Sequence, residues 1–241
     1  MKSTLQSLCT LLLASLPLSA AILPIELCPS CPKPKHCSNR GWDWGYYANP
    51  LHNDGENYPG FRADVYKTRN PLYSAVTPWI GGHLGAAEAN PSTSPFYGSP
   101  VELNSTYFAL NHRAYLYACE GGTWQFDVSF VDDVVFAWIG ESAFEGWTDA
   151  NADAKAVWTF AGTPGTHYGS ASVRKELEGN KFHPLRIVFG DGQGGGLFNL
   201  TITSPSGVIV HRSGQDSDWI VRYSCGLDNS APRFPEFGSE T

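Results

Sequence analysis

Charge is scarce in this 241-residue sequence: Asp, Glu, Lys and Arg make up only 16% of it. The balance leans acidic, with 23 Asp and Glu against 16 Lys and Arg and a formal net charge of −7. Such a chain is a poor partner for nucleic acid or for an anionic membrane surface. Long apolar runs are scarcer still. The one present, Leu8 to Leu18, follows Lys2 and precedes the small residues Ser19, Ala20 and Ala21, which is the layout of a cleavable secretory signal over residues 1–21. It is shorter than the roughly 20 residues that cross a bilayer. No second run follows, and Phe237–Thr241 offers no hydrophobic tail, so neither a membrane span nor a C-terminal lipid anchor is expected. The mature chain is expected to be secreted.

Familiar catalytic signatures are missing as well. There is no G-x-S-x-G elbow, no H-E-x-x-H pair and no phosphate-binding loop. The histidines, His83, His112, His167 and His183 among them, are scattered without ligand spacing. No internal repeat is found, and no amphipathic helical pattern exceeds about two turns, apart from a short helix predicted near Ala143–Lys155.

What is abundant is glycine, proline and aromatic residues. Glycines and prolines fall mostly between β-rich runs, as turns require. These runs are Trp42–Ala48, Val101–Leu110, Arg113–Cys119, Thr123–Phe130, Val134–Gly140, Ala156–Phe160, Ser172–Leu177, Leu185–Phe189, Leu197–Thr203, Val208–His211 and Trp219–Ser224. They predict an all-β antiparallel sandwich. Eight Trp, 11 Tyr and 13 Phe suit both a sandwich core and a domain that binds neutral polar ligands such as sugars. Trp138, Trp147 and Trp158 occupy strand-like positions and read as core rather than as stacking platforms.

Of six cysteines, Cys9 leaves with the signal; Cys28, Cys31, Cys37, Cys119 and Cys225 remain. In an oxidising compartment these predict two disulfides and one leftover thiol, with a bridge tying the N-terminal cluster to Cys225. Cys28-Pro-Ser-Cys31 with His36 and Cys37 resembles half a zinc site, but no second half follows. Asn104-Ser-Thr106 and Asn199-Leu-Thr201 are glycosylation sequons.

Two segments carry chemistry. In Val131-Asp132-Asp133-Val134-Val135-Phe136-Ala137-Trp138-Ile139-Gly140, two aspartates interrupt an apolar run. A trans peptide sends neighbouring strand side chains to opposite faces, whereas a cis peptide turns both carboxylates to one side. Two carboxylates held close repel, so the arrangement calls for a bound cation, and hard oxygen ligands favour calcium. The second segment is Phe189-Gly190-Asp191-Gly192-Gln193-Gly194-Gly195-Gly196. It formally contains G-x-G-x-x-G, but a β-rich run rather than a helix follows, so a dinucleotide site is not expected. Its glycines let backbone carbonyls turn toward one point, and Asp191 adds a side-chain oxygen. A solvated turn and an ordinary hairpin loop are the plainer readings of the two segments.

Together with Gly41-Trp42-Asp43-Trp44-Gly45-Tyr46-Tyr47-Ala48-Asn49-Pro50 and Gly122-Thr-Trp-Gln-Phe126, these blocks occur in the order seen in fungal adhesins with a GLEYA domain, relatives of the PA14-type lectin domains of flocculins. The resemblance covers roughly Cys37 to Cys225. It implies an antiparallel β-sandwich of PA14/GLEYA type with calcium at one end and sugar hydroxyls on the ion. Asp132, Asp133 and Asp191 would bind the metal through side chains, and Gln193 and Gly195 through backbone carbonyls. Asp132, Asp133, Gly192, Gln193 and Gly194 would contact carbohydrate. Asp191 stands where flocculins usually carry asparagine, which adds a third negative charge and should make calcium binding tighter and more pH-sensitive.

The expected organisation is a signal peptide over 1–21, a Cys/Pro-rich segment over 22–40, a GLEYA/PA14-like domain over 41–225 and a polar tail over 226–241. With no Ser/Thr-rich stalk in the sequence, a soluble secreted lectin is expected rather than a wall-attached adhesin, with cell-surface or cell-wall glycans as partners. Two rivals stand beside it. One is a glycoside hydrolase pairing Asp132 or Asp133 with Glu141, Asp149 or Asp191. The other is a degenerate structural or interaction domain that keeps calcium and binds no sugar.

Overall fold

A computed structural model describes residues 31–51, 57–85, 92–160, 166–226 and 229–240; the secretory-signal segment, Cys28 and the start of the Cys/Pro-rich stretch lie outside them. The strands are, in chain order, β1 Trp42–Ala48, β2 Tyr73–Thr77, β3 Gly82–Leu84, β4 Thr93–Pro95, β5 Glu102–Asn104, β6 Phe108–Ala118, β7 Gly122–Asp132 and β8 Val134–Ile139. There follow β9 Ala154–Val157, β10 Thr159–Phe160, β11 Thr166–His167, β12 Gly169–Leu177, β13 Lys181–Gly190, β14 Gly196–Thr203, β15 Ile209–Arg212 and β16 Ile220–Val221. The larger sheet runs β2-β1-β6-β13-β8-β9, with β16 also on β6; the smaller runs β12-β7-β14-β15, with β3 also on β14. β10–β11 and β4–β5 form separate two-stranded ladders, and all pairings among the described residues are antiparallel. The fold class read from the sequence is thus the one observed.

The inner faces of the two sheets make the main core: Trp44, Leu110, Val135 and Ile187 from the larger sheet meet Trp124, Phe126, Phe198 and Ile202 from the smaller. The larger sheet is covered on its outer face too, where Tyr47, Ala109, Phe136 and Trp138 pack against Tyr58, Phe61, Tyr66 and Trp147. A sheet buried on both faces explains why β8 reads as an unbroken apolar run. Of the three tryptophans read as core, Trp138 and Trp147 are fully buried and Trp158 is partly buried against the same cluster, although only Trp138 lies in a strand.

Some boundaries differ from the sequence reading. The two runs predicted at Val101–Leu110 and Arg113–Cys119 are divided differently: Glu102–Asn104 is a short strand of its own and Phe108–Ala118 is continuous. Asn111 and His112, which break the apolar pattern, lie inside β6, where Asn111 Oδ1 and both His112 ring nitrogens find partners while Asn111 Nδ2 is buried without one. Asn111 Oδ1 accepts from Arg186 Nη1 at 2.8 Å, and His112 bonds to the Ile187 carbonyl at 3.1 Å and to Tyr97 Oη at 2.8 Å. The predicted helix near Ala143–Lys155 is instead a four-residue α1 (Glu141–Phe144), a 3-10 turn at Asp149–Asn151 and the start of β9. Strands β2, β3 and β4 lack an apolar alternation that sequence reading could detect.

Disulfides join Cys31 to Cys119 and Cys37 to Cys225. Beyond Cys225, Ala231 and Phe234 pack on Tyr115 and Val221. There the carboxylate of Glu240 is ion-paired with Arg113 at 2.6 Å and Arg186 at 2.9 Å, and it accepts from Trp147 Nε1 at 2.6 Å.

Candidate functional site

Two crossings between the sheets lie side by side at one end of the sandwich. The chain passes from β7 to β8 through Asp132 and Asp133, and from β13 to β14 through residues 191–195. Register brings them together: Gly190 pairs with Val134 in the larger sheet, and Leu197 pairs with Asp132 in the smaller. The Asp132–Asp133 peptide is cis, so both carboxyls turn to one side.

Asp133 is 4% exposed and Asp191 1%, so both carboxyls are desolvated. Asp133 Oδ1 accepts from Tyr58 Oη and Oδ2 accepts from the Gly192 amide; its carbonyl accepts from Trp158 N at 2.7 Å. Asp191 is fixed through its backbone, its amide donating to the Phe108 carbonyl at 2.8 Å and its carbonyl accepting from Asn49 Nδ2 at 3.0 Å. Asp191 Oδ2, by contrast, is buried with no hydrogen-bond partner. Close packing sets this geometry. A Cβ on Gly190 would come within 2.1 Å of the Phe61 ring, and one on Gly196 within 2.4 Å of the Phe189 ring, so only glycine fits at either end of the loop.

Burial raises the pKa of all three carboxylates. Asp133 is pushed up to about 7 and Asp191 to about 10, with the neighbouring aspartates adding to the burial effect in each case; Asp132 is raised by burial. Among the described residues no lysine, arginine or histidine figures among the groups acting on them. Among the described residues no group of three or more His, Cys, Asp or Glu side chains is placed to hold a metal ion by itself. The chemistry of the donor set nevertheless fits a hard cation: crowded carboxylate oxygens, a buried oxygen without a partner, and glycine-rich backbone beside them.

The other expected site residues fall as follows. Gly192 is buried, its amide on Asp133 and its carbonyl accepting from Tyr107 N at 2.7 Å. Gln193 is exposed and donates through Nε2 to Tyr107 Oη at 2.9 Å. Gly194 has a φ of +91 with open space around it, and Gly195 is half-buried. Asp149 lies elsewhere, accepting from Arg62 Nε at 2.9 Å and from the Asp64 amide at 3.1 Å, and Glu141 opens α1. Asn104 is exposed, its Oδ1 accepting from the Thr106 amide and hydroxyl, while Asn199 is half-buried on β14. Sequence reasoning missed Tyr58, Asn49 and Tyr107. Asn49 belongs to a motif block that was visible; nothing in the sequence marks Tyr58.

Residues 108–204, which include the aspartate pair and the glycine loop, match the family described as the GLEYA domain. The matched segment is similar to a GLEYA domain. Its relatives include a protein of Schizosaccharomyces pombe named for cell agglutination, 39% identical over 32% of this chain, and the cell agglutination protein pfl4 of the same organism, 28% identical over 60%. The chain spans only 6% and 26% of the lengths of these two relatives. Among solved structures, the A domain of Epithelial Adhesin 6 from Candida glabrata, in complex with Galβ1-3GlcNAc, superposes with a TM-score of 0.58 at 20% identity, covering 83% of this chain and 94% of that one. This likeness shows the fold here to be the antiparallel sandwich of PA14/GLEYA type.

Proposed function

We propose that the GLEYA domain of this chain is a calcium-dependent lectin that binds terminal hexoses of cell-surface or cell-wall glycans. The observation that carries this reading is the juxtaposition of the buried carboxylates of Asp133 and Asp191 with the half-buried Asp132, a partnerless Asp191 Oδ2 and no basic side chain among the described residues to offset them. The carboxylates of Asp132, Asp133 and Asp191 and the backbone carbonyls of Gln193 and Gly195 would hold the ion. Calcium supplies a centre on which vicinal sugar hydroxyls replace water.

This chain's own residues do the rest. Tyr58 and the Gly192 amide hold Asp133 in place, and Asn49 and Phe108 hold the backbone of Asp191. Gln193 and Gly194, on the open side of the loop, face the sugar. Few ligand atoms are buried at such a rim, so a single sugar should bind with a Kd on the order of 10⁻⁴–10⁻³ M, and useful avidity comes from multivalent display. The role is binding rather than catalysis. The two disulfides and the agglutination and adhesin relatives support an extracellular place of action.

Substituting Asp132 and Asp133 by Ala tests the reading. Calcium binding measured by calorimetry and glycan binding should both be lost while the sandwich stays folded. Unchanged glycan binding would sink it, and lost calcium binding with no glycan binding in the parent protein would point to a degenerate interaction domain.

A further inference from the structure

We propose that the cleft lined by Lys33, Lys35 and Lys181, at the end of the sandwich away from the three aspartates, binds a sugar carrying a phosphate or sulfate ester. The inference stands apart from the calcium-lectin reading and holds whether or not that reading does.

The starting observation is where the lysines fall. The sequence holds seven of them against 23 Asp and Glu, yet three line a single cavity of about 480 Å³. Among the described residues no Asp, Glu or Arg lines it. Lys33 is ion-paired with Asp218 at 2.5 Å, but Asp218 also serves Arg40 at 2.9 Å. Lys181 pairs with Glu178, whose side chain is 74% exposed, so water screens that pair. Lys35 is exposed and has no ion-pair partner among the described residues. A net acidic chain thus keeps a local excess of positive charge in one concave place.

The walls of the cleft are firmly placed. Lys181 opens β13, where it pairs with Ala118, and the turn before it is fixed by the Asn180 amide, which donates to the Ala118 carbonyl at 2.6 Å. Tyr117 and Phe182 are partners across β6 and β13 with ring centroids 5.0 Å apart, and Tyr117 Oη donates to Asn180 Oδ1 at 3.3 Å. On the other side, Pro34 is buried between the two lysines of the N-terminal segment, and the Cys37–Cys225 disulfide ties that segment down.

The lining selects its ligand. Lysine ammonium groups are compact point charges that suit a tetrahedral oxyanion, whereas a planar carboxylate is better matched by the arginine fork. Tyr117 and Phe182, both half-buried in the lining, add an apolar surface for the C–H face of a pyranose, and Asn180 an amide for its hydroxyls. The cavity has the size of a small-molecule site, and the negative charge of the whole chain turns away long polyanions such as nucleic acid. From Lys181 to Gly190, the two ends of β13, the strand spans roughly 30 Å, so the cleft and the carboxylate site act independently.

The test is an NMR titration of the full chain in chelator at low ionic strength, where no calcium site contributes, with glucose 6-phosphate, glucose 6-sulfate, glucose and inorganic phosphate. At least one ester should bind with a Kd on the order of 10⁻³ M, about tenfold more tightly than glucose and about threefold more tightly than inorganic phosphate, and added salt should weaken it. The two esters separate a phosphate source from a sulfate one. Lys35→Gln combined with Lys181→Gln should weaken ester binding about tenfold at an unchanged melting temperature, since both side chains are exposed. Asp132→Ala combined with Asp133→Ala should leave ester binding as in the parent protein. No ester binding, equal binding of ester and glucose, or undiminished ester affinity in the lysine variant would overturn the proposal, as would a glutamate peptide that binds more tightly than either ester.

Discussion

Asp191 decides how the site responds to protons. Its carboxyl is pushed up to about 10 and that of Asp133 to about 7, burial being the main cause and the neighbouring aspartates adding to it. An acid whose pKa is higher in the folded than in the unfolded chain retains its proton longer when folded, so its contribution to stability is full below about pH 4 and is lost as pH rises through the folded value. The melting temperature of the chelated protein should therefore fall by several degrees between pH 5 and pH 8. Calcium must displace those protons, so the gain in melting temperature on adding calcium should grow over the same range; a gain that is flat or shrinks with pH contradicts this reading of the three carboxylates. Asp191→Asn keeps an oxygen while removing a charge. It should raise the melting temperature of the chelated form near neutral pH, weaken calcium binding and flatten its pH dependence, all readable from scanning fluorimetry and calorimetry. Asp132, Asp133 and Asp191 stood out in the sequence because acidic residues in apolar or glycine-dense runs need a reason. Tyr58 did not, because its contact with Asp133 spans 75 residues and depends on a loop laid over the larger sheet.

At the scale of elements, the site is a product of register. The ends of β7 and β13 meet the starts of β8 and β14, so two inter-sheet connections arrive at one place. Gly190 shows how tight the arrangement is. Its substitution by Ala drives a Cβ into the Phe61 ring and should cost about 1–3 kcal/mol by overpacking. Calcium affinity should fall with it, since Phe61 and the Asp133 partner Tyr58 lie in the same cluster. Denaturant melts and calcium titrations of Gly190→Ala check both effects; a parent-like calcium affinity would show that the loop is positioned independently of Phe61. The strands with apolar alternation or long apolar runs were legible in sequence. The continuity of β6 was not, because the partners of Asn111 Oδ1 and of the His112 ring, namely Arg186, Tyr97 and the Ile187 carbonyl, are distant in the chain. The register shift of β7 around Phe130 was equally hidden, since an extra residue is visible only against its partners in β12 and β14.

For the whole molecule, the outer face of the larger sheet is closed by charge as well as by apolar packing. Arg113 and Arg186, cross-strand neighbours, are both buried, and Glu240 lies between them. Replacing Glu240 by Ala strands two buried guanidinium groups and should cost about 3–5 kcal/mol, measured as a lowered denaturation midpoint, with calcium affinity unchanged under native conditions because Glu240 does not figure among the groups acting on the three aspartates. A midpoint equal to the parent's would mean that solvent reaches those arginines. Nothing in the composition of residues 226–241 announced this role, because a glutamate in a polar stretch reads as solvated until its partners are known. The carboxylate cluster marks the end of the sandwich to which the proposed function assigns the ligand. The central claim is that this end binds glycans through calcium. Its most direct test is a glycan array probed with the mature protein in calcium and again with chelator: the account predicts binding to a group of terminal hexoses that disappears with chelator, and binding that persists in chelator, or none in either condition, would contradict it.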